Sequence, residues 1–349
     1  MNDACLTFDD ISIVPNYSEV LSRKDVSLLS RFTRNYYLDV PIIAAPMDTV
    51  CDVDMAFAMW QLGACGILHR FMSIEDQVDK IVDLRHLMEA DSNHKEPLIV
   101  CSIGATGDYL ERAEASLYSG ANILLIDVAH GHHIHVKNAL TELMKLKSKF
   151  TFDIIAGNIV TSEAARDLQL WGADCIRCGL GSGSSCSTRI NTGIGIPQIQ
   201  AIINCVGNGI EIPVIADGGI RYPGDVCKAI AVGANSVMLG NLLAGTIESP
   251  GSIIRGQWPK QAAYKEFRGS ASLKTKIETN QETRNIEGVS TTIPLKGFVK
   301  DIITDITDGL RSSMSYVGAH TIPEFQEKAI PIRVTHSGNR EAHPHSLGE

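Results

Sequence analysis

The sequence predicts an α/β protein, a (β/α)8 barrel of the TIM type, on three observations. A short apolar run, then a small or polar residue, then a helix-like stretch recurs eight times. Each run is nearly continuous in apolar residues, as a strand buried on both faces must be. Polar residues gather where most runs end, and the C-terminal strand ends are where this fold keeps its chemistry. Eight evenly cycling units favour a closed barrel over a doubly wound open sheet.

The eight runs are PIIAAPMD (41–48), ACGILHR (64–70), PLIVCSIG (97–104), NILLIDVAHG (122–131), FDIIAGN (152–158), DCIRCGLG (174–181), IPVIADGG (212–219) and NSVMLGN (235–241). Helix-like segments lie between them: SIEDQVDKIVDLRHLME, DYLERAEASLYSG, IHVKNALTELMKLKSKF, TSEAARDLQLWG, IPQIQAIINCVG and YPGDVCKAIAVG. Several end in Gly, where a helix C-cap wants a left-handed residue. Residues 1–40 precede the first strand. Residues 246–300 are polar and too long for a simple connection, so they read as a flap or lid over the barrel mouth. The whole of 1–349 reads as one catalytic barrel domain with that flap inside it. Strand ends supply Asp48, His69, Asp127, Asn158, the Cys186 loop, Asp217 and Asn241. None supplies a lysine, which argues against a Schiff-base aldolase.

Bulk properties exclude some partners. Formal net charge is −9 over 349 residues, so no overall basic field exists to attract nucleic acid or a membrane surface. An anionic ligand needs a local site, such as backbone N–H groups. Neither a signal-peptide pattern nor an apolar run of membrane-spanning length is present. Nine scattered cysteines, an odd number, read as reduced thiols in a cytoplasmic protein rather than a disulfide framework. Cys175 and Cys178 form a C-x-x-C on a strand, where residues three apart point to opposite faces, so packing is the expected role.

The stretch GLGSGSSCSTRINTGIG (179–195) stands apart. Its one cysteine, Cys186, is either a small hydrophobe or a displayed nucleophile. Its place after the sixth strand, between Gly-rich backbone and Thr188, favours the nucleophile. Gly218, Gly219 and Gly240, after strands seven and eight, either make tight turns or offer N–H groups to a phosphate, and Ser184 nearby favours phosphate. The histidines of HGHHIH (130–135) cannot all converge on one metal, and loop or substrate contacts are expected there.

LTFDDISIVPNYSEV, PIIAAPMDTV, GILHRFMSIEDQ, IIAGNIVT, GLGSGSSCSTR, PVIADGGIRYPGDVCKAIAVGANSVMLGN and GLRSSMSYVGA together resemble the IMP dehydrogenase/GMP reductase family over essentially the whole chain. The resemblance implies a barrel enzyme, usually a homotetramer, that joins its cysteine to C2 of a purine nucleotide as a thioimidate. It makes Cys186 the nucleophile and Thr188 and Glu287 its catalytic partners. It puts Met47, Asn158 and Arg177 in the nucleotide pocket. Ser184, Asp217, Gly218, Gly219 and Gly240 would hold ribose and phosphate, and Asn241, Gly269, Ser270 and Gly288 would complete the substrate set. Asp127 would face the nicotinamide ribose, with Arg70 and Arg284 on the cofactor side. Gly181, Gly183 and Cys186 would give carbonyls to K⁺ or another monovalent cation, with Glu341 of a neighbouring subunit. EFRGSAS, holding Phe267 and Gly269, departs from the family's usual Tyr-Arg-Gly-Met.

Within that family the chain looks more like a GMP reductase, using NADPH, than an IMP dehydrogenase, using NAD. LHRFMSIEDQ runs on to PLIVCSIG in about one helix length, without the regulatory insert of most dehydrogenases. Between Gly269 and Gly297 there is Arg284 but no Tyr, whereas the dehydrogenase flap carries a water-activating Arg-Tyr pair. IDVAHGH and SYVGA look like the reductase. Pro46 and the tail NREAHPH lean the opposite way.

Overall fold

The computed structural model describes residues 4–92, 95–207, 209–255, 262–269, 272 and 288–342. Eight parallel strands close into a barrel: β1 (Ile42–Ala44), β2 (Cys65–Leu68), β3 (Val100–Ile103), β4 (Ile123–Asp127), β5 (Asp153–Ile159), β6 (Cys175–Cys178), β7 (Val214–Asp217) and β8 (Ser236–Leu239). Seven of them fall inside the apolar runs, and β5 overshoots its run by one residue, Ile159. Closure is made by β8 on β1, with Val237, Met238 and Leu239 opposite Ile42, Ile43 and Ala44.

Strand residues are buried on both faces because two cores meet at the sheet. Ile43, Cys65, Ile67, Val100, Ile123, Leu125, Ile155, Cys175, Ile215 and Met238 fill the barrel interior. Their strand neighbours, such as Ile42, Leu68, Cys101, Leu124, Ile176 and Cys178, pack outward under the helices. Cys175 and Cys178 therefore sit in different cores, as their spacing requires.

The outer ring is α1 (Val53–Gln61), α2 (Ile74–Ala90), α3 (Tyr109–Tyr118), α4 (Ile134–Leu146), α5 (Ser162–Leu170), α6 (Gln198–Cys205), α7 (Pro223–Ala231) and α8 (Val299–Val317). Capping chemistry sets several starts. Asp52, Ser73 and Thr161 each accept a backbone N–H in the first turn of α1, α2 and α5, a contact worth about 1 kcal/mol. Six of the helices match the segments singled out in the sequence; α1 and α8 do not. From α2 the chain reaches β3 in nine residues, Asp91 to Ile99.

Residues 4–40 have a structural task. A short hairpin, Ser30–Arg31 paired with Tyr37–Leu38, puts the buried Phe32 and Leu38 against the barrel interior. Thr33 and Asn35 hydrogen-bond to Asp153 at the start of β5, so the hairpin plugs the N-terminal end. Ile11–Val14 pairs antiparallel with Ile330–Arg333 outside the ring.

Within 246–300 the described residues carry regular structure. Ile254–Arg255, Ala263–Arg268 and Ser290–Pro294 form a three-stranded antiparallel sheet, and α8 already begins at Val299. Lys265 roots this sheet. It is buried, and its ammonium donates to the carbonyls of Ile247 (3.0 Å) and Ser249. Burial lowers its pKa against the pull of Glu248 and Asp54, because a desolvated charge is disfavoured.

Candidate active site

A cavity of about 630 Å³ opens at the C-terminal end of the barrel. The ends of six strands meet there: Met47 after β1, Arg70 after β2, Asp127 closing β4, Asn158 in β5, Arg177 in β6 and Asp217 closing β7. Gly240 and Asn241 follow β8, and the loop after β6 supplies Gly181, Gly183, Ser184, Cys186 and Thr188. Gly218 and Gly219 complete one wall; Phe267 and Gly269 come from the small sheet.

Arg177 is the hub. It shares the inward phase of β6 with Cys175 and is itself buried. Its guanidinium donates to Asp127 Oδ1 at 2.5 Å and, through Nε, to Asp217 Oδ2 at 3.0 Å. Burial alone would lower its pKa; Asp217 and Asp127 outweigh that and raise it. Asn158 Nδ2 donates to the same Asp217 oxygen and to the Gly179 carbonyl, both at 2.8 Å. Asp217 Oδ1 makes no hydrogen bond among the described residues and is left to accept from a ligand. Asp127 Oδ2 lies 3.9 Å from Arg70 Nε, which is buried and makes no hydrogen bond among the described residues. An unmet buried donor costs about 1–3 kcal/mol, and here a ligand oxygen would meet it.

Glycine is required at two points by the chain itself. A Cβ on Gly179 (φ +146°) would stand 2.0 Å from the Asp217 carbonyl oxygen; on Gly218 (φ +96°) it would meet Ser182 Oγ at 2.7 Å. These two let backbones approach one another, which brings the Cys186 loop and the β7 turn together.

Cys186 Sγ lies 3.1 Å from Thr188 Oγ1, and its N–H donates to the Gly183 carbonyl at 3.0 Å. That turn leaves Gly183 a second lone pair, so it retains an oxygen for a large cation. Seven other cysteines are buried. Burial pushes Cys51, Cys65, Cys175 and Cys178 well up, Cys101 to about 12 and Cys227 to about 11. Cys186 is half-buried at the cavity wall, where its sulfur can be reached from the cavity.

Gly288 does not line the cavity; it pairs with Cys186 in an isolated bridge. Glu341 is exposed at the end of the helix His336–Glu341 and is not a cavity residue of this chain; its expected place is beside a neighbouring subunit. Ser270, Arg284 and Glu287 lie outside the described residues. Asp48 and His69 belong instead to an adjoining cavity of about 510 Å³, with Asp52, Asp76, Lys80 and Arg268. The HGHHIH histidines are engaged separately: His132 Nε2 pairs with Asp167 at 2.8 Å and stacks on Trp171, while His133 accepts from the His135 N–H. Sequence reasoning missed the contact of Asp48 with Arg268; the two are 220 positions apart, and no local pattern signals the pairing.

A barrel carrying a displayed cysteine beside an Asp–Arg–Asp network centred on a buried arginine defines the class, and comparison with known proteins makes it specific. The family model described as the IMP dehydrogenase / GMP reductase domain matches residues 5–345. The chain belongs to that family of oxidoreductases. Inosine-5'-monophosphate dehydrogenases of Borreliella burgdorferi and Cryptosporidium parvum are 38% and 37% identical to it; each match covers 98% of this chain, and 97% and 95% of the relative. The enzyme of that name from Nitrosopumilus maritimus is 32% identical over 473 positions, covering 98% of both chains. That alignment is longer than this chain, so this relative carries residues absent here. A solved structure titled GMP reductase, from Trypanosoma brucei in complex with guanosine 5'-monophosphate, superposes with a TM-score of 0.90 at 29% identity, covering 99% of each chain.

Proposed function

We propose that this protein is a GMP reductase, converting GMP to IMP and ammonia with NADPH. The observation that carries this reading over the dehydrogenase is the absence of any tyrosine between Gly269 and Gly297. The family's hydrolytic route needs its Arg-Tyr pair to activate water, and this chain has no such pair there.

The chemistry needs a thiolate at C2, a proton for the departing amine and a closed pocket. Cys186 bonds to C2 as the C2–N2 bond breaks, with Thr188 and, in the flap, Glu287 passing a proton to the leaving ammonia. Asp217 and Asn158 take the ribose hydroxyls, with Arg177 and Asn158 both fixing Asp217. Ser184, Gly218, Gly219 and Gly240 present donors to the phosphate. Met47, Asn241 and Gly269 line the cavity beside the base, Gly288 acts from behind through its bridge to Cys186, and Ser270 belongs to the same substrate set. NADPH, when bound, supplies the hydride that replaces the cysteine at C2. Asp127 and Arg70 would hold it, with Arg284 assigned to the same side, and the unmet Arg70 Nε supports a polar ligand there. K⁺ on the carbonyls of Gly181, Gly183 and Cys186, joined by Glu341 of a neighbouring subunit in a homotetramer, would brace the cysteine loop.

The second reading, IMP dehydrogenase, is favoured by the names of the relatives at 32–38% identity. One paired assay in K⁺ buffer separates them. Loss of NADPH absorbance with GMP, together with ammonia release, is the expected result. NADH formation from IMP and NAD⁺ would overturn it.

A further inference from the structure

We infer that the ion pair of Asp48 and Arg268 is a latch that positions the small sheet over the Cys186 loop, making both of them positioning residues for the reaction. The inference rests on the reading of Cys186 as the reacting group. Arg268 ends the strand Ala263–Arg268, and Asp48 lies in the turn after β1. Arg268 donates to Asp48 Oδ2 from Nε at 2.9 Å and from Nη2 at 2.5 Å. The side chains are only 12% and 11% exposed. The Arg268 N–H also donates to Thr49 Oγ1 at 3.2 Å, so main chain and side chain are both held by the β1 turn.

Beyond Arg268 the chain connects to the cysteine loop in two steps. The Gly269 N–H donates to the Val289 carbonyl, and the Val289 N–H donates to the Ser185 carbonyl, each at 3.1 Å. Gly288 bridges Cys186. A Cβ on Gly269 would stand 3.1 Å from Ser185 Oγ, so the two segments touch. On the other side of the latch, Met47 and Gly240 line the cavity, and Met47 Sδ comes within 3.3 Å of a Cβ position on Gly240. The pair thus ties the cavity floor to its cover.

Two features set it apart from ordinary packing. A buried ion pair contributes little net stability against its desolvation cost, yet two donors on one oxygen fix a geometry that lysine cannot copy. Asp48 Oδ1 is buried with no hydrogen bond among the described residues, an arrangement that stability alone does not favour and that is expected where position matters more.

The test is the variant Asp48→Asn in the full chain, followed by amide hydrogen exchange, thermal unfolding, nucleotide affinity by calorimetry and turnover with whichever substrate pair the wild type uses. A latch predicts about tenfold faster exchange in 262–269 and 288–294, with barrel strands unchanged. It predicts a kcat lower by about tenfold or more at near-constant nucleotide affinity, since a displacement of about 1 Å is enough for such a loss. Arg268→Lys should behave alike, and the double variant should be no worse than either single one. Unchanged exchange and kcat would overturn the latch; so would exchange that rises equally across the barrel with a matching fall in Tm, the mark of a purely structural pair. Should the wild type turn over neither nucleotide while local exchange still rises in Asp48→Asn, the functional reading fails and the latch stands as a property of the fold.

Discussion

At the N-terminal end of the barrel, Asp153 accepts from Thr33 Oγ1, the Asn35 N–H and Asn35 Nδ2 at 2.6–2.9 Å. Its neighbour Asp174 is met by Arg34, Lys147 and the Ile154 N–H. At the C-terminal end, Asp217 keeps one oxygen unbonded, and Asp48 Oδ1 and Arg70 Nε are buried without a hydrogen-bond partner among the described residues. Asp153 and Asp174 are buried, Asp217 and Asp48 half-buried, and all four sit at the ends of barrel strands. One end saturates them with its own chain; the other leaves their capacity for a ligand or for positioning. In barrel terms, saturated carboxylates mark the end that stabilises, and carboxylates with an unmet oxygen mark the end that reacts.

Substitutions at the two ends should therefore separate activity from stability. The largest effect is expected at Cys186→Ala: turnover falls at least about a hundredfold while calorimetry still finds nucleotide binding and Tm hardly moves. Residual turnover above that level would remove Cys186 as the nucleophile. Asp153→Ala and Asp217→Asn form the direct contrast. Asp153→Ala leaves three donors unmet and should cost about 3 kcal/mol of stability in urea unfolding, with kcat at room temperature nearly unchanged. Asp217→Asn should lower kcat/KM about a hundredfold with a smaller stability change. The reverse ranking would break the division between the ends.

The smallest effect concerns His69, beside the Asp48–Arg268 pair. Burial lowers its pKa, assisted by Lys80 and Arg268 and opposed by Asp48 and Asp52. The folded state binds this proton less readily than the unfolded chain, so its share of stability is complete above about pH 6.5 and is lost as pH falls through the depressed value. His69→Gln should flatten the pH dependence of stability in that acid window. An unchanged profile would mean that the cavity lets water reach the ring.

Much of this was legible in the sequence because it is local. The strands announce themselves as apolar runs, and Cys186 stands out because glycines surround it. Helix α1 was not legible: Met55, Ala56, Met59 and Trp60 are buried and Val53, Phe57 and Ala58 are half-buried, so packing against β2, α2 and α8 leaves it little polar face to give a period. The hairpin plug was hidden because Phe32 and Leu38 find their partners only once the barrel closes. Gly218 read as a tight turn or a phosphate donor; the close approach that it and Gly179 also allow, to Ser182 and Asp217 of the neighbouring loop and strand, has no local signal.

The nine-residue link from α2 to β3 opens beside the plug, where Lys95 pairs with Asp39 at 3.1 Å just after the hairpin. Lengthening a surface connection costs only about 0.6 kcal/mol per doubling. An accessory module grafted there would ride on the sealed face, a full barrel height from the cysteine, and could speak to the chemistry only through the body of the barrel. The architecture thereby leaves growth and reactivity on opposite poles, free to be remodelled independently.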